Sequence, residues 1–261
     1  MVLPENWLIL VIGGLISGIM AGFLGIGGGT VLVPMQVALG YSPLQAVATS
    51  SLAIVITSIS GTVQNWRMGY FRFKPIIMLG IPAILTSKVG VELAELTKQY
   101  KQGSGFLLIG FGVLLLLNIY LVDLRQKLVK QEVTTTSRSN PVVSRVITGG
   151  AAGILSSLFG VGGGVIMVPL QMLLLAEPIK VAIQTSLGVI VMTAIASTIQ
   201  HAANGNIAWM EGAILGLGGL VGAQISTRFL PKLPDAVVSI AFRSLLAILS
   251  IYIFWQGWQR L

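Results

Sequence analysis

Four glycines in five residues, Gly25, Gly27, Gly28 and Gly29, lead into Thr30, Pro34 and Gln36 in the stretch GIGGGTVLVPMQVALGYSP. Gly160, Gly162, Gly163 and Gly164 lead into Pro169 and Gln171 in the stretch GVGGGVIMVPLQMLLLAEP. Nine of the nineteen aligned positions are identical without a gap. Glycine reaches left-handed backbone conformations that other residues avoid, so such a run can end one helix and begin another. The new helix then presents free N–H groups and the positive end of its dipole, which together make an anion site without any charged side chain. A purely structural alternative is that the glycines only let helices cross closely. A nucleotide-phosphate loop is excluded, because no Gly-Lys-Ser or Gly-Lys-Thr follows either run.

Downstream the alignment slips by one residue and continues, pairing Thr49 with Thr185 and Ser50 with Ser186, beside Ser51. These hydroxyls either bond back to helical carbonyls or serve as donors to an oxyanion. Gln36 and Gln171 carry amides that could donate to an anion oxygen or bridge two helices. Asn65 aligns with His201, the one histidine in the chain and the side chain whose charge changes near neutral pH. Asn65, His201, Arg67, Lys88 and Glu92 are the candidates for coupling or gating. Lys88 and Glu92, four apart, read first as a mutually neutralising pair. One histidine and no cysteine argue against a metal site, and no Ser-His-Asp pattern suggests hydrolysis, so neither a metal, a cofactor nor a catalytic residue is expected.

The elements that hold these residues are membrane helices. The chain of 261 residues is 54% hydrophobic and 9% charged. Soluble domains carry about 25% charged residues. From Asn6 to Trp66 there is no Asp, Glu, Lys or Arg. At about 20 residues per crossing, that run holds two spans and a half span. No weak ten-residue alternation suggests a β-barrel. The net charge of +8 sits mostly in loops, as membrane orientation requires, and no basic, aromatic-studded face suggests nucleic acid.

The expected fold is therefore an all-α polytopic membrane protein of about eight transmembrane helices in two homologous four-helix halves. Each half has a glycine-broken helix and a half-length re-entrant segment. The first repeat covers residues 1–122, a polar connector 123–141, and the second repeat 142–261. Four equal spans per half would make the repeats parallel, whereas an inverted pair needs an odd number of crossings. The N-terminus lacks a basic n-region and reads as a retained first helix. Arg67, Arg72, Lys74, the connector's Arg125, Lys127, Lys130 and Arg138, and Arg145 just beyond it suggest one cytoplasmic face shared by the connector and both termini. Lys98, Lys101, Lys180, Arg228 and Lys232 then fall opposite, partly against that orientation.

The stretches GFLGIGGG(x)₄P and SSLFGVGGG(x)₄P, the following ATSS and QTS helices, and the GNIAW turn after His201 resemble the sulfite exporter TauE/SafE family of bacterial permeases. The resemblance covers essentially the whole chain. It implies a multi-pass transporter of the cell inner membrane that moves small sulfur oxyanions such as sulfite or sulfonates. Asn65 departs from the family's frequent histidine at the end of span two. The expected partners are the small anion, the lipid bilayer and a coupling proton, with no nucleic acid and with the chain as a monomer or homodimer. Alternating access between two halves is the expected mechanism. The competing readings are an anion channel of the same architecture and an intramembrane enzyme built on His201 and Glu92.

Overall fold

The computed structural model describes residues 4, 6–100, 102–130 and 141–259. Among these, every regular element is helical: α1 Trp7–Leu24, α2 Gly29–Ala38, α3 Pro43–Arg67, α4 Phe73–Leu96, α5 Gly103–Lys130, α6 Pro141–Phe159, α7 Gly164–Leu174, α8 Ile179–Ala203, α9 Trp209–Phe229 and α10 Asp235–Trp258. Eight are long and apolar enough to cross a membrane; α2 and α7 are the short ones. The expected connector begins as helix, because α5 continues to Lys130, and residues 131–140 lie outside the described set. Large apolar side chains such as Leu85, Phe106 and Ile251 point outward, where lipid rather than water would meet them.

Side-chain contacts fix the direction of each span. Ser51 of α3 lies 3.2 Å from Ser197 of α8, and a Cβ on Gly61 would lie 3.2 Å from Leu187, so α3 and α8 are antiparallel. The Ala208 N–H, at the start of α9, donates to Thr49, and Gln224 donates to the Ser60 carbonyl, so α9 runs parallel to α3. Gln200 donates to Ser87 and Asn204 to Glu95, so α8 runs parallel to α4. In α5 and α10, Gly257 abuts Ile109 while Arg243 pairs with Asp123 at 3.7 Å, an antiparallel register. Arg243 is thus ion-paired within the apolar span α10.

These directions define two faces. Trp7 and Trp258 share one, the terminal face; the ends joined by the connector share the other, the connector face. The expectation that termini and connector lie together therefore fails. The physical reason is α2, which turns back toward the face from which α1 started, so that α3 crosses in the direction of α1. The first five helices make three net crossings, α6 runs opposite to α1, and the same-direction arrangement expected from four equal spans does not occur. Lys180, Arg228 and Lys232, placed opposite the connector by sequence, lie on its face with Arg67, Arg72, Lys74 and Arg145.

Small residues set the tightest packing. Gly14, Gly18 and Gly22 of α1 lie against the α9 residues Leu215, Gly219 and Ser226, with no space for a Cβ. Gly149 and Gly153 of α6 meet the backbone of α4 at Leu79 and Ala83 in the same manner. The start of α3 is capped by Ser42, which accepts from the Gln45 N–H at 3.2 Å, with Pro43 in the first helical position. At the corresponding place before α8, Glu177 makes no cap and pairs instead with Arg72 at 3.3 Å. Pro34 and Pro169 sit in the second turn of α2 and α7, not the first, so neither can bond back to the Thr30 or Val165 carbonyl.

Candidate functional site at the crossing of two glycine loops

The α1–α2 and α6–α7 loops meet near the middle of α3 and α8. Gly25, Gly27 and Gly28 have φ of +66°, +73° and +86°, and Gly160, Gly162 and Gly163 have +65°, +83° and +81°. A Cβ on Gly27 would lie 3.3 Å from Gly162 Cα, and one on Gly162 would lie 3.3 Å from Gly27 Cα. Ile54 and Ile190 pack against both loops. The contact is reciprocal one step further on: a Cβ on Gly29 would overlap the Gly160 carbonyl, and one on Gly164 would overlap the Gly25 carbonyl. The helical residues Gly29 and Gly164 are therefore fixed as glycine by the partner loop's backbone, not by dihedral angle.

Both half helices start at this crossing. Gln36 lies beside Ala46 and Gly29 beside Ile54, so α2 runs toward the terminal face. Gln171 lies beside Ala182 and Gly164 beside Ile190, so α7 runs toward the connector face. Their positive ends thus oppose each other across the centre. Val31 and Leu32 donate to the Gly28 carbonyl, and Met167 to that of Gly163. Among the described residues, the N–H groups of Gly29, Thr30, Gly164 and Val165 meet no protein acceptor. The Thr30 hydroxyl, fully buried at the start of α2, has no partner either.

The remaining sequence candidates divide clearly. Gln36 spends its amide donors on Ser50 at 2.7 Å and on the carbonyls of Leu32 and Ala46, each at 3.3 Å. Gln171 spends its own on the Ala182 carbonyl at 3.3 Å. Each thus clamps a half helix to the next span; Gln36 has its donors engaged and its oxygen unpaired, whereas Gln171 keeps one amide hydrogen besides its unpaired oxygen. Thr49 accepts from Ala208 at 3.1 Å, and Ser51 donates to the Val47 carbonyl at 3.0 Å. Ser186 donates to the Gly25 carbonyl at 3.0 Å and holds the first loop against α8. Thr185 is buried with a free hydroxyl.

Asn65 and His201 are both buried, toward the connector and terminal faces respectively, and no side-chain nitrogen or oxygen of either has a partner. Arg67 is exposed at the end of α3, away from the crossing. Lys88 and Glu92 do form the expected pair, at 3.7 Å, but project outward with side chains 76% and 64% exposed, so neither joins the site. Glu92 is exposed whereas His201 is fully buried, so the two do not form a catalytic pair. Among the described residues no group of His, Asp and Glu could hold a metal ion.

Sequence reasoning passed over Ser17, whose hydroxyl donates to the Gly28 carbonyl at 3.0 Å and secures the loop from α1. It also passed over a polar cluster at the terminal face. Lys98 reaches Glu95 at 2.7 Å and Asn206 at 2.8 Å, and Asn204 donates to Glu95 at 3.2 Å. A cavity of about 260 Å³ opens beside this cluster, lined by Ser42, Gln45, Thr97, Lys98, Ser104 and Asn206. The one available signal was the polar Asn-Gly-Asn turn at 204–206, directly after His201. Nearby, between the spans, Tyr41 bonds Glu211 at 3.4 Å; burial first, then the adjacent carboxylate, push its phenol above the ordinary value.

A polytopic helical membrane protein, with two broken helices meeting in its centre, is the class these features define. The family model described as Sulfite exporter TauE/SafE matches residues 10–253, and the chain belongs to that family. It is 25% identical to the probable membrane transporter protein YunE of Bacillus subtilis, over 97% of this chain and 98% of the relative. It is 26% identical to the probable membrane transporter protein YdhB of the same organism, over 86% and 90%. To the probable membrane transporter protein MJ0441 of Methanocaldococcus jannaschii it is 27% identical, over 74% and 71%. No solved structure gives a significant match. The chain is thus a multi-pass membrane transporter of the TauE/SafE type, which points away from enzymatic chemistry.

Proposed function

We propose that the chain is a secondary transporter, working as an exporter, of small sulfur oxyanions such as sulfite or organic sulfonates. The observation that carries this reading is the meeting of two half-helix N-termini whose first-turn N–H groups lack protein acceptors. A helix N-terminus carries roughly half a positive charge, and hydrogen bonds to a charged ligand contribute about 1.5–3 kcal/mol each. A few such bonds from Gly29, Thr30, Gly164 and Val165, with the Thr30 and Thr185 hydroxyls, give an affinity compatible with release. In the conformation described, the Gly25 and Gly160 carbonyls occupy the space against Gly164 and Gly29. An anion must displace them, so binding and loop separation are coupled.

Residues 1–122 and 142–261 then act as two repeats of inverted topology, each lending its half helix to the common centre. One repeat rocking against the other would expose the crossing to each face in turn. The excess of Arg and Lys on the connector face, now including Lys180, Arg228 and Lys232, supports a reading with that face on the cytoplasmic side of the inner membrane and both termini outside. Close contact of the loops favours a carrier over an open channel.

Flux into proteoliposomes containing the purified chain tests the reading. Labelled sulfite and methanesulfonate should be carried and should exchange with unlabelled anion, whereas acetate should not. Equal movement of all three, or flux that shows no trans-stimulation, would overturn it, and the latter would indicate a channel.

A further inference from the structure

His201 and Asn65 occupy corresponding places in α8 and α3, 22 residues beyond the first residue of each helix. Because α3 and α8 are antiparallel, the two lie on opposite sides of the loop crossing. Each is buried, His201 fully and Asn65 99%, and each has its side-chain polar atoms unpartnered. A buried amide or imidazole without a hydrogen bond costs about 1–3 kcal/mol. Two such groups at equivalent positions point to a ligand that each meets for part of a cycle. On either side the nearest turn adds further unpaired hydroxyls, Thr198 before His201 and Thr62 before Asn65.

The two sides differ in one chemical respect, since imidazole titrates near neutral pH and a carboxamide does not. The turn that follows His201 borders the cavity at the terminal face. The Asn206 N–H donates to the His201 carbonyl, and the Asn206 side chain lines the cavity at the terminal face. The charged groups acting on the ring are Glu95 of α4 and Lys98 just beyond it, which are paired with each other. The Ser157 backbone at the end of α6 also approaches the ring, without reaching the geometry of a formed hydrogen bond. Neither α3 nor α7 carries a charged residue in that half of the protein.

We propose that His201 is the proton-responsive residue of the transport cycle, titrated from the terminal face, with Asn65 as its non-titrating counterpart toward the connector face. The inference rests on the transport reading above. A ring nitrogen takes a proton from water in the terminal-face cavity; the resulting imidazolium holds the anion, and return of that proton to water accompanies release. Affinity on the terminal side therefore follows pH, and affinity on the connector side does not.

Methanesulfonate, which does not titrate in this range, is the probe. Its flux is measured in vesicles of both orientations, with pH varied from 5 to 8 on one face and held on the other. The wild-type rate should change roughly fivefold or more with terminal-face pH and less than twofold with connector-face pH, over the range in which imidazole changes charge. His201→Asn should flatten the terminal-face response and hold flux near the wild-type value at terminal-face pH 8, where the ring is neutral. Asn65→His, made in the otherwise unchanged chain, should add a response to connector-face pH without touching His201. The proposal is overturned if His201→Asn keeps the wild-type response, if the folded variant carries nothing at any pH, or if Asn65→His adds no response. Wild-type flux that ignores pH would defeat this proposal alone, whereas no wild-type flux of methanesulfonate or sulfite would defeat the transport reading itself.

Discussion

Replacing Gly164 by alanine isolates the contact on which the loop crossing depends. Gly164 is helical, so by propensity alone alanine should stabilise α7 by roughly 0.5–1 kcal/mol. Its Cβ, however, would overlap the Gly25 carbonyl, a backbone atom that cannot swing aside as a side chain would. Overpacking of this kind costs about 1–3 kcal/mol. At about 1.4 kcal/mol per factor of ten, this would lower the population of the crossed state by roughly 5- to 150-fold. Gly29→Ala, facing the Gly160 carbonyl, should behave alike. The control is Gly205→Ala in the α8–α9 turn, where φ is +68° but nothing lies within 4 Å of the new Cβ. Sulfite flux in proteoliposomes, normalised to folded protein by size exclusion, should fall at least fivefold for Gly164→Ala and Gly29→Ala and much less for Gly205→Ala. Wild-type flux in both crossing variants would refute the reasoning.

The polar candidates make further predictions. Gln36→Leu breaks three hydrogen bonds and leaves Ser50 and the Ala46 carbonyl behind, while Gln171→Leu breaks one; the first should lower thermal stability by about 1–3 kcal/mol and the second by less, read as the shift in melting temperature. The double variant Lys88→Ala/Glu92→Ala removes an exposed pair facing away from the crossing, and should retain near-wild-type flux; loss of pH response would return those residues to the coupling role. The chain lacks cysteine, so Gly69→Cys and Gly205→Cys report orientation cleanly. In intact cells an impermeant maleimide should label the second and not the first; the opposite pattern would reverse the proposed orientation.

Hydropathy was enough to place the spans, because apolar length alone decides a crossing. The repeated glycine runs likewise marked where both half helices begin. Direction was not legible. Nothing in GIGGGTVLVP says whether the half helix after Gly28 continues across or turns back, and that choice inverts everything after it, including the faces of Lys180 and Arg228. The site was half legible for a related reason. Glycine and hydroxyl positions follow from local sequence, but whether the Gln36 amide faces an anion or the Ala46 carbonyl depends on a neighbouring helix. Lys88 and Glu92 were misleading because helical spacing reveals a pair but not which way it points. The Lys98–Glu95–Asn206 cluster joins residues more than 100 positions apart, beyond the reach of any local pattern.

The central claim is that antiparallel α3 and α8 cross at the glycine loops and must move there for transport. Ser51 and Ser197 are 3.2 Å apart across that crossing. In a chain without native cysteine, Ser51→Cys/Ser197→Cys can form a single disulfide, whose geometry demands Cα atoms within about 7 Å. The account predicts that oxidation forms this bond, abolishes sulfite flux and is reversed by a reductant. Failure of the bond to form in folded protein, or undiminished flux once it has formed, would contradict it.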